Sequence, residues 1–234
     1  MARAVPAFDA VVFDLFGTLV RFSFPQYDVT VRGIAAVLGA PPDRYAAAVD
    51  EGYYDVETGS ITVETLLATA AERTGAPVQR AALAQAVGRW HAFQATQLEP
   101  WHDAATTLRH LRSARIPVGL VSNAPPPVHE LWPGSTLARW VDATAFSYVV
   151  GTRKPAARMY LGVCEALGAP PSRCLYIGDG SSRELHGAQD AGLTPVLIRR
   201  PDDPPENDLR FGRHPWDGAM VPTLTALTTH LARG

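Results

Sequence analysis

The sequence predicts an α/β fold, a doubly wound (Rossmann-like) parallel sheet with an all-helical cap inserted after its first strand. Three observations carry this. Five short runs of β-forming residues alternate with helical patterns. Those runs are apolar throughout, as parallel strands covered by helices on both faces should be. One long interval after the first run holds no strand pattern at all.

The first strand is "FDAVVFD" (8–14), which ends in the carboxylate of Asp14 and runs into "LFGTLV". From 21 to about 98 only helical stretches follow, at 29–38, 43–53, 63–74 and 78–96, separated by the breakers "GAPPD", "ETGS" and "TGAP". This divides the chain into a cap at 21–96 and a core at 1–20 and 97–234. A helix at 103–115 carries Ala104, Leu108 and Leu111 on one stripe and leads to the second strand, "IPVGLVSN" (116–123). The third strand is "AFSYVVG" (145–151), and a helix at 156–167 follows Pro155, a favoured first helical residue. The fourth strand, "RCLYIGD" (173–179), precedes a helix at 184–191 that stops at Gly192, and "LTPVLIR" (193–199) is the fifth. The segment 201–217, with "PDDPPEND", reads as loop, and a last helix at 223–233 packs back on the core.

A chain of 234 residues suffices for one core plus a smaller inserted unit. Its net charge of −2 and scattered arginines argue against a nucleic-acid partner. No apolar run approaches the ~20 residues of a membrane span. "MARAVPAFDA" lacks the apolar stretch of a signal peptide, so a cytoplasmic location is expected. Cys164 and Cys174 fall in a helical and a strand pattern, as small buried thiols rather than a disulfide or zinc site. Lys154 is the only lysine.

Ligands of an open parallel sheet bind outside the carboxyl ends of its strands. Here the first strand ends at Asp14, the second at Ser122-Asn123, and the fourth at Gly178-Asp179-Gly180. The third leads through Gly151-Thr152-Arg153 to Lys154-Pro155. A carboxylate, a hydroxyl, a lysine and a second carboxylate would therefore converge on one crevice.

In "VVFDLFGTLV", "VGLVSNA", "GTRKPAARMY" and "CLYIGDGSSRELHGAQDAGL", in that order, the chain resembles the haloacid dehalogenase superfamily of aspartate-nucleophile hydrolases. The resemblance covers the core from Phe8 to about Arg199 and implies that Asp14 attacks phosphorus, or carbon in the dehalogenase branch. In the phosphatase branch it implies Mg²⁺ held by Asp14, the backbone carbonyl of Phe16, Asp179 and Glu184. Ser122 and the backbone N–H of Asn123 would hold phosphoryl oxygens, and Lys154 would neutralise developing charge. Thr18 either orients Asp14 by a hydrogen bond or is a plain turn residue.

Two departures pull in opposite directions. Phosphatases of the superfamily usually carry a second Asp where Phe16 stands, as general acid; phenylalanine transfers no proton, and dehalogenases commonly have an aromatic there. The last motif has four residues between Asp179 and Glu184 where the superfamily usually has three, so Glu184 either reaches the metal or only favours the start of its helix. Yet Asp179 in "IGDG" points to a metal-dependent phosphohydrolase, and the substrate-binding arginine of dehalogenases has only Arg32 and Arg44 as counterparts. Tyr160 suits either branch or plain helix packing; Arg183 contacts a substrate anion or solvent.

In the cap, Tyr27, Tyr53, Tyr54, Trp90, His91 and Phe93 are candidates for substrate contact, with "EGYYD" (51–55) foremost. Three functions follow: a Mg²⁺-dependent phosphatase of a small phosphorylated metabolite, a 2-haloacid dehalogenase, and a binding or regulatory protein that has lost efficient catalysis. The expected partner is a small molecule, a phosphate ester or haloacid. No nucleic acid or membrane is expected, and the chain acts as monomer or homodimer.

Overall fold

Val11 and Phe13 pack on one face of the first strand, Ala10 and Val12 on the other, and all four are fully buried. That strand, β1 (Ala10–Phe13), lies in the middle of a parallel sheet in a computed structural model whose described residues are 8–203 and 214–231. Residues 1–7, most of the loop expected at 201–217 (204–213), and residues 232–234, which include the end of the final helix expected at 223–233, lie outside them.

Four helices follow β1: α1 (Phe24–Leu38), α2 (Pro42–Glu57), α3 (Val63–Arg73) and α4 (Arg80–Thr96). The first starts five residues before the expected 29. The Ser23 side chain accepts from the Gln26 N–H, with Pro25 in the first turn, a cap that the apolar pattern does not register. α2 runs past the expected 53 to Glu57, which carries Tyr54 and Glu57 towards the core. Together the four helices enclose Tyr27, Ile34, Tyr45, Val49, Leu67 and Trp90, a hydrophobic cluster distinct from those of the sheet. At about 1.5–3 kcal/mol per large apolar side chain, such burial is what holds the inserted cap together.

The core resumes with α5 (Ala104–Ser113), β2 (Val118–Ser122) and a short α6 (Pro126–Leu131). The third strand differs from the expectation of 145–151. β3 is Ala143–Phe146, and the chain turns at once into α7 (Ser147–Val150). The buried Ser147 hydroxyl accepts from the Ala124 N–H at 3.0 Å and donates to the Glu57 carbonyl at 2.7 Å. That fixes the turn, while the apolar Val149 faces solvent. Then come α8 (Ala157–Ala166), β4 (Cys174–Gly178), α9 (Glu184–Asp190), β5 (Thr194–Ile198), β6 (Met220–Val221) and α10 (Leu224–Leu231). The two-residue β6 extends the five expected strands and is too short to leave a pattern in the sequence.

Strand order is β3-β2-β1-β4-β5-β6, every pair parallel. The order reverses at β1, so the crevice lies beyond its carboxyl end, where Asp14 stands. One face packs Leu108, Leu111, Leu224 and Leu227 against the sheet; the other packs Tyr160, Val163, Leu185 and Ala188. Cys164 and Cys174 are free and buried as expected, and burial pushes the Cys164 thiol up to about 12. Among the described residues no helix is long and apolar enough to cross a membrane.

Candidate active site

The ladder delivers Asp14 into the crevice: its N–H still bonds the Ile177 carbonyl of β4, at 2.8 Å. The chain then folds back on itself. The Leu15 carbonyl accepts from Leu19 and Val20, and the Gly17 N–H bonds the Val20 carbonyl. Only glycine suits position 17. Its φ is +79°, and a Cβ there would lie 2.6 Å from Asp179 Oδ2. The turn is anchored from beneath by Arg200, which donates to the Thr18 carbonyl and to Asp103 Oδ1, both at 3.0 Å, and stacks on Trp101. Arg200 escaped the sequence reading because it follows the fifth strand with no motif of its own.

Lys154 is buried, and its Nζ donates to Asp14 Oδ1 at 2.5 Å and to Glu184 Oε2 at 2.6 Å. Its backbone N–H bonds Asn123 Oδ1 at 2.8 Å, which ties the loop before α8 to the end of β2. Glu184 is fully buried; it also accepts from the Tyr176 hydroxyl at 2.8 Å and the Gly180 N–H at 2.9 Å. Gly178 leaves room for it, since a Cβ there would lie 2.3 Å from Oε1. Asp179 accepts from the Ser181 N–H. Tyr160 donates to the Glu184 carbonyl and stacks edge-on to Tyr176, so it supports α9 from beneath.

Asp14, Asp179 and Glu184 offer carboxylate oxygens within 4.8 Å of one another, all buried. One ammonium faces three carboxylates, and the electrostatics show the strain. Burial raises the affinity of Asp14 for a proton, with Lys154 opposing and Asp179 adding to the rise. Burial, then the charge of Asp14, pushes Glu184 up to about 8 against the pull of Lys154. Burial alone would lower Lys154, but Asp14 and Glu184 outweigh it and hold the ammonium charged.

A divalent cation would bring this cluster to neutrality, and the donor set is the all-oxygen kind that Mg²⁺ takes. Asp14 Oδ2, Ser122 Oγ and Asn123 Nδ2 are buried without a hydrogen-bond partner. Such orphans are rare in native proteins, and three at the ends of adjacent strands suit a charged ligand. Thr18 takes the second of its two readings: its buried hydroxyl has no partner, so it does not orient Asp14.

The fourth motif accommodates its extra residue through strain. Ser182 and Arg183 take left-handed φ of 53° and 54°, which lets Glu184 turn inward. The Arg183 side chain is exposed and lies on an outer shelf with His214.

The cleft above Asp14 has a volume of about 400 Å³. Phe16, Lys154 and Arg153 form its core side, and Phe24, Asp50, Tyr53, Tyr54 and Glu57 its cap side. Of the cap aromatics singled out in the sequence, Tyr53 and Tyr54 reach it. Trp90 and Phe93 are buried in the cap, Tyr27 holds Asp50 by a hydrogen bond of 2.8 Å, and His91 lines another depression. Arg32 pairs with Asp28 and Asp43, and neither it nor Arg44 lines the cleft. Asp50 and Glu57 carried no sequence signal, because acidic residues on a helix usually face solvent.

The sequence model of haloacid dehalogenase-like hydrolases matches residues 8–192. A glyceraldehyde 3-phosphate phosphatase of Methanopyrus kandleri is 29% identical over 58% of this chain and 60% of its own. An (S)-2-haloacid dehalogenase 4A of Burkholderia cepacia is 29% identical over 58% and 57%. The chain thus spans about three-fifths of these relatives' length. A solved 2-haloacid dehalogenase from Pseudomonas syringae pv. Tomato DC3000 superposes with a TM-score of 0.71 at 21% identity, over 97% of this chain and 99% of the other.

Proposed function

The chain belongs to the haloacid dehalogenase-like hydrolases, and on that premise we propose that it is a Mg²⁺-dependent phosphatase of a small phosphorylated metabolite, with Asp14 as nucleophile. The observation that carries this reading is the buried set of Asp14, Asp179 and Glu184 against a single lysine. A metal-free dehalogenase has no need for that excess of buried negative charge, which is costly unless a cation balances it.

In this reading Asp14 Oδ2, which has no hydrogen-bond partner, forms the bond to phosphorus while the bond to the ester oxygen breaks. Ser122 Oγ and Asn123 hold phosphoryl oxygens at the end of β2, and Lys154 fixes Asp14 through Oδ1. Asp14, Asp179 and the Phe16 carbonyl would hold Mg²⁺; the Glu184 oxygens already accept from Lys154, Tyr176 and Gly180, so Glu184 contributes its charge and the position of Lys154. Bound Mg²⁺ would supply the positive charge that lets a carboxylate approach a phosphate dianion. Phe16 offers no proton, so the leaving oxygen takes one from water, and a second water cleaves the aspartyl phosphate at phosphorus. Good leaving groups are favoured. The cap, proposed as 21–96, closes the cleft over the ester.

A second reading, a 2-haloacid dehalogenase, is favoured by Phe16 and by the Burkholderia relative. A panel of phosphate esters and haloacids, assayed with Mg²⁺ and with EDTA, separates the two, with Asp14→Asn as control. Phosphate release abolished by EDTA and by Asp14→Asn is expected. Halide release without metal would replace the phosphatase reading with the dehalogenase one.

A further inference from the structure

Two cations line the cleft among the described residues, Lys154 and Arg153, and both are already committed. Lys154 is held by Asp14 and Glu184. Arg153 Nη1 meets Glu57 Oε2 at 2.8 Å, with the carboxylate 9% and the guanidinium 26% exposed. Three further contacts pin this pair. Arg153 Nη2 donates to Ser182 Oγ at 3.2 Å, and the guanidinium lies 5.3 Å from the centre of the Tyr54 ring. The Glu57 carbonyl accepts from the Ser147 hydroxyl of the core, so the acid comes from the cap and the base from the core, and each is also held by a contact from the opposite side.

Phosphorus must sit at Asp14, and the rest of the ester must then extend towards the cap wall. There it meets Asp50, Glu57 and two tyrosines, with the nearest positive charge already cancelled. A carboxylate or second phosphate on the leaving group would have to break the Glu57–Arg153 pair or stand beside carboxylates unpaired, which low-dielectric surroundings penalise. Hydroxyl or amino groups would find acceptors. Arg183 and His214 line the adjoining outer shelf and not the cleft itself.

We propose that Glu57, by cancelling the charge of Arg153, makes the cleft select phosphate esters whose leaving group carries no negative charge and is rich in hydrogen-bond donors. This rests on the phosphatase reading, and Glu57 acts in it as a positioning residue through Arg153. The test compares kcat/KM for glycerol 3-phosphate and ethanolamine phosphate with that for phosphoglycolate and 3-phosphoglycerate. The wild type is expected to favour the first pair by about tenfold or more, the scale of one unpaired charge. Glu57→Gln releases Arg153 and should raise kcat/KM for the carboxylate-bearing esters, mainly through KM, with no gain for the first pair. Glu57→Asp should restore the wild-type preference, and adding Arg153→Gln to Glu57→Gln should erase the gain. A wild-type preference for carboxylate-bearing esters, or an equal effect of Glu57→Gln on both pairs, would overturn the proposal. The same four esters titrated calorimetrically into Asp14→Asn give a readout independent of turnover. If p-nitrophenyl phosphate is not hydrolysed, the phosphatase reading fails, and the order of these affinities still decides the selectivity; no binding of any ester overturns both.

Discussion

Replacing Lys154 by methionine would remove the one positive charge from the buried acidic cluster and keep an unbranched stem. In the wild type Nζ lies 2.5 Å from Asp14 and 2.6 Å from Glu184, with all three side chains buried. Breaking a buried ion pair by removing one partner typically costs about 3–5 kcal/mol, because the charge left behind is uncompensated. For a chain of this length each kcal/mol lowers the melting midpoint by about 2–4 °C, so Lys154→Met is expected to melt about 6–20 °C below the wild type. The loss should depend on pH in a definite direction. Glu184 already titrates at about 8 in the fold, well above its value in an unfolded chain. Between those values the folded state keeps a proton that the unfolded state has released, so stability falls as pH rises, by at most ~1.4 kcal/mol per pH unit for one group. Below about pH 8 both proteins keep this proton and lose stability in parallel; without Lys154 the folded carboxylates hold their protons to still higher pH, so the gap from wild type widens above pH 8. Metal-free melts by circular dichroism at pH 6 to 9 measure this. A shift below ~1 kcal/mol, or a gap equal at both ends of the range, would refute the charge argument.

Three other substitutions probe the loops around the cluster. Gly17→Ala imposes a side chain at φ +79° and directs a Cβ at Asp179 Oδ2, so a stability loss of about 1–2 kcal/mol should accompany a higher Mg²⁺ concentration for half-activation; unchanged Mg²⁺ dependence would remove Asp179 from the metal set. Arg183→Gly relieves a left-handed residue at φ 54° and should raise the denaturation midpoint by the equivalent of about 1 kcal/mol. Phe16→Asp offers the missing acid and should increase turnover of alkyl phosphates, by up to the ~10²–10⁴-fold typical of general acid catalysis. No change in initial rates would mean that another group already donates the proton.

Much of the fold was legible because burial on both faces leaves a strong signal. The runs ending at Asp14, Ser122 and Asp179 are apolar throughout, and a parallel sheet requires that. The third strand was misplaced for the same reason. Val149 and Val150 look like strand residues, and only the Ser147 hydroxyl, bonded to the distant Glu57 carbonyl, shows why the chain turns into helix there. Helix α1 begins earlier than its apolar stripe because a cap, not periodicity, sets its start.

By itself the sequence determined which groups stand at the strand ends. Asp14, Ser122, Asn123, Lys154, Asp179 and Glu184 sit in short motifs whose local geometry follows from a strand and the turn after it. Tertiary structure alone decided how they share charge. Lys154 bridges Asp14 and Glu184 across 140 and 30 residues, and the extra residue before Glu184 is absorbed by two left-handed residues rather than by withdrawing the acid. It alone brought Glu57 of the cap onto Arg153 of the core. The physical reason is that electrostatic pairing depends on distance through space and on burial, and neither is written in the spacing of residues along a chain.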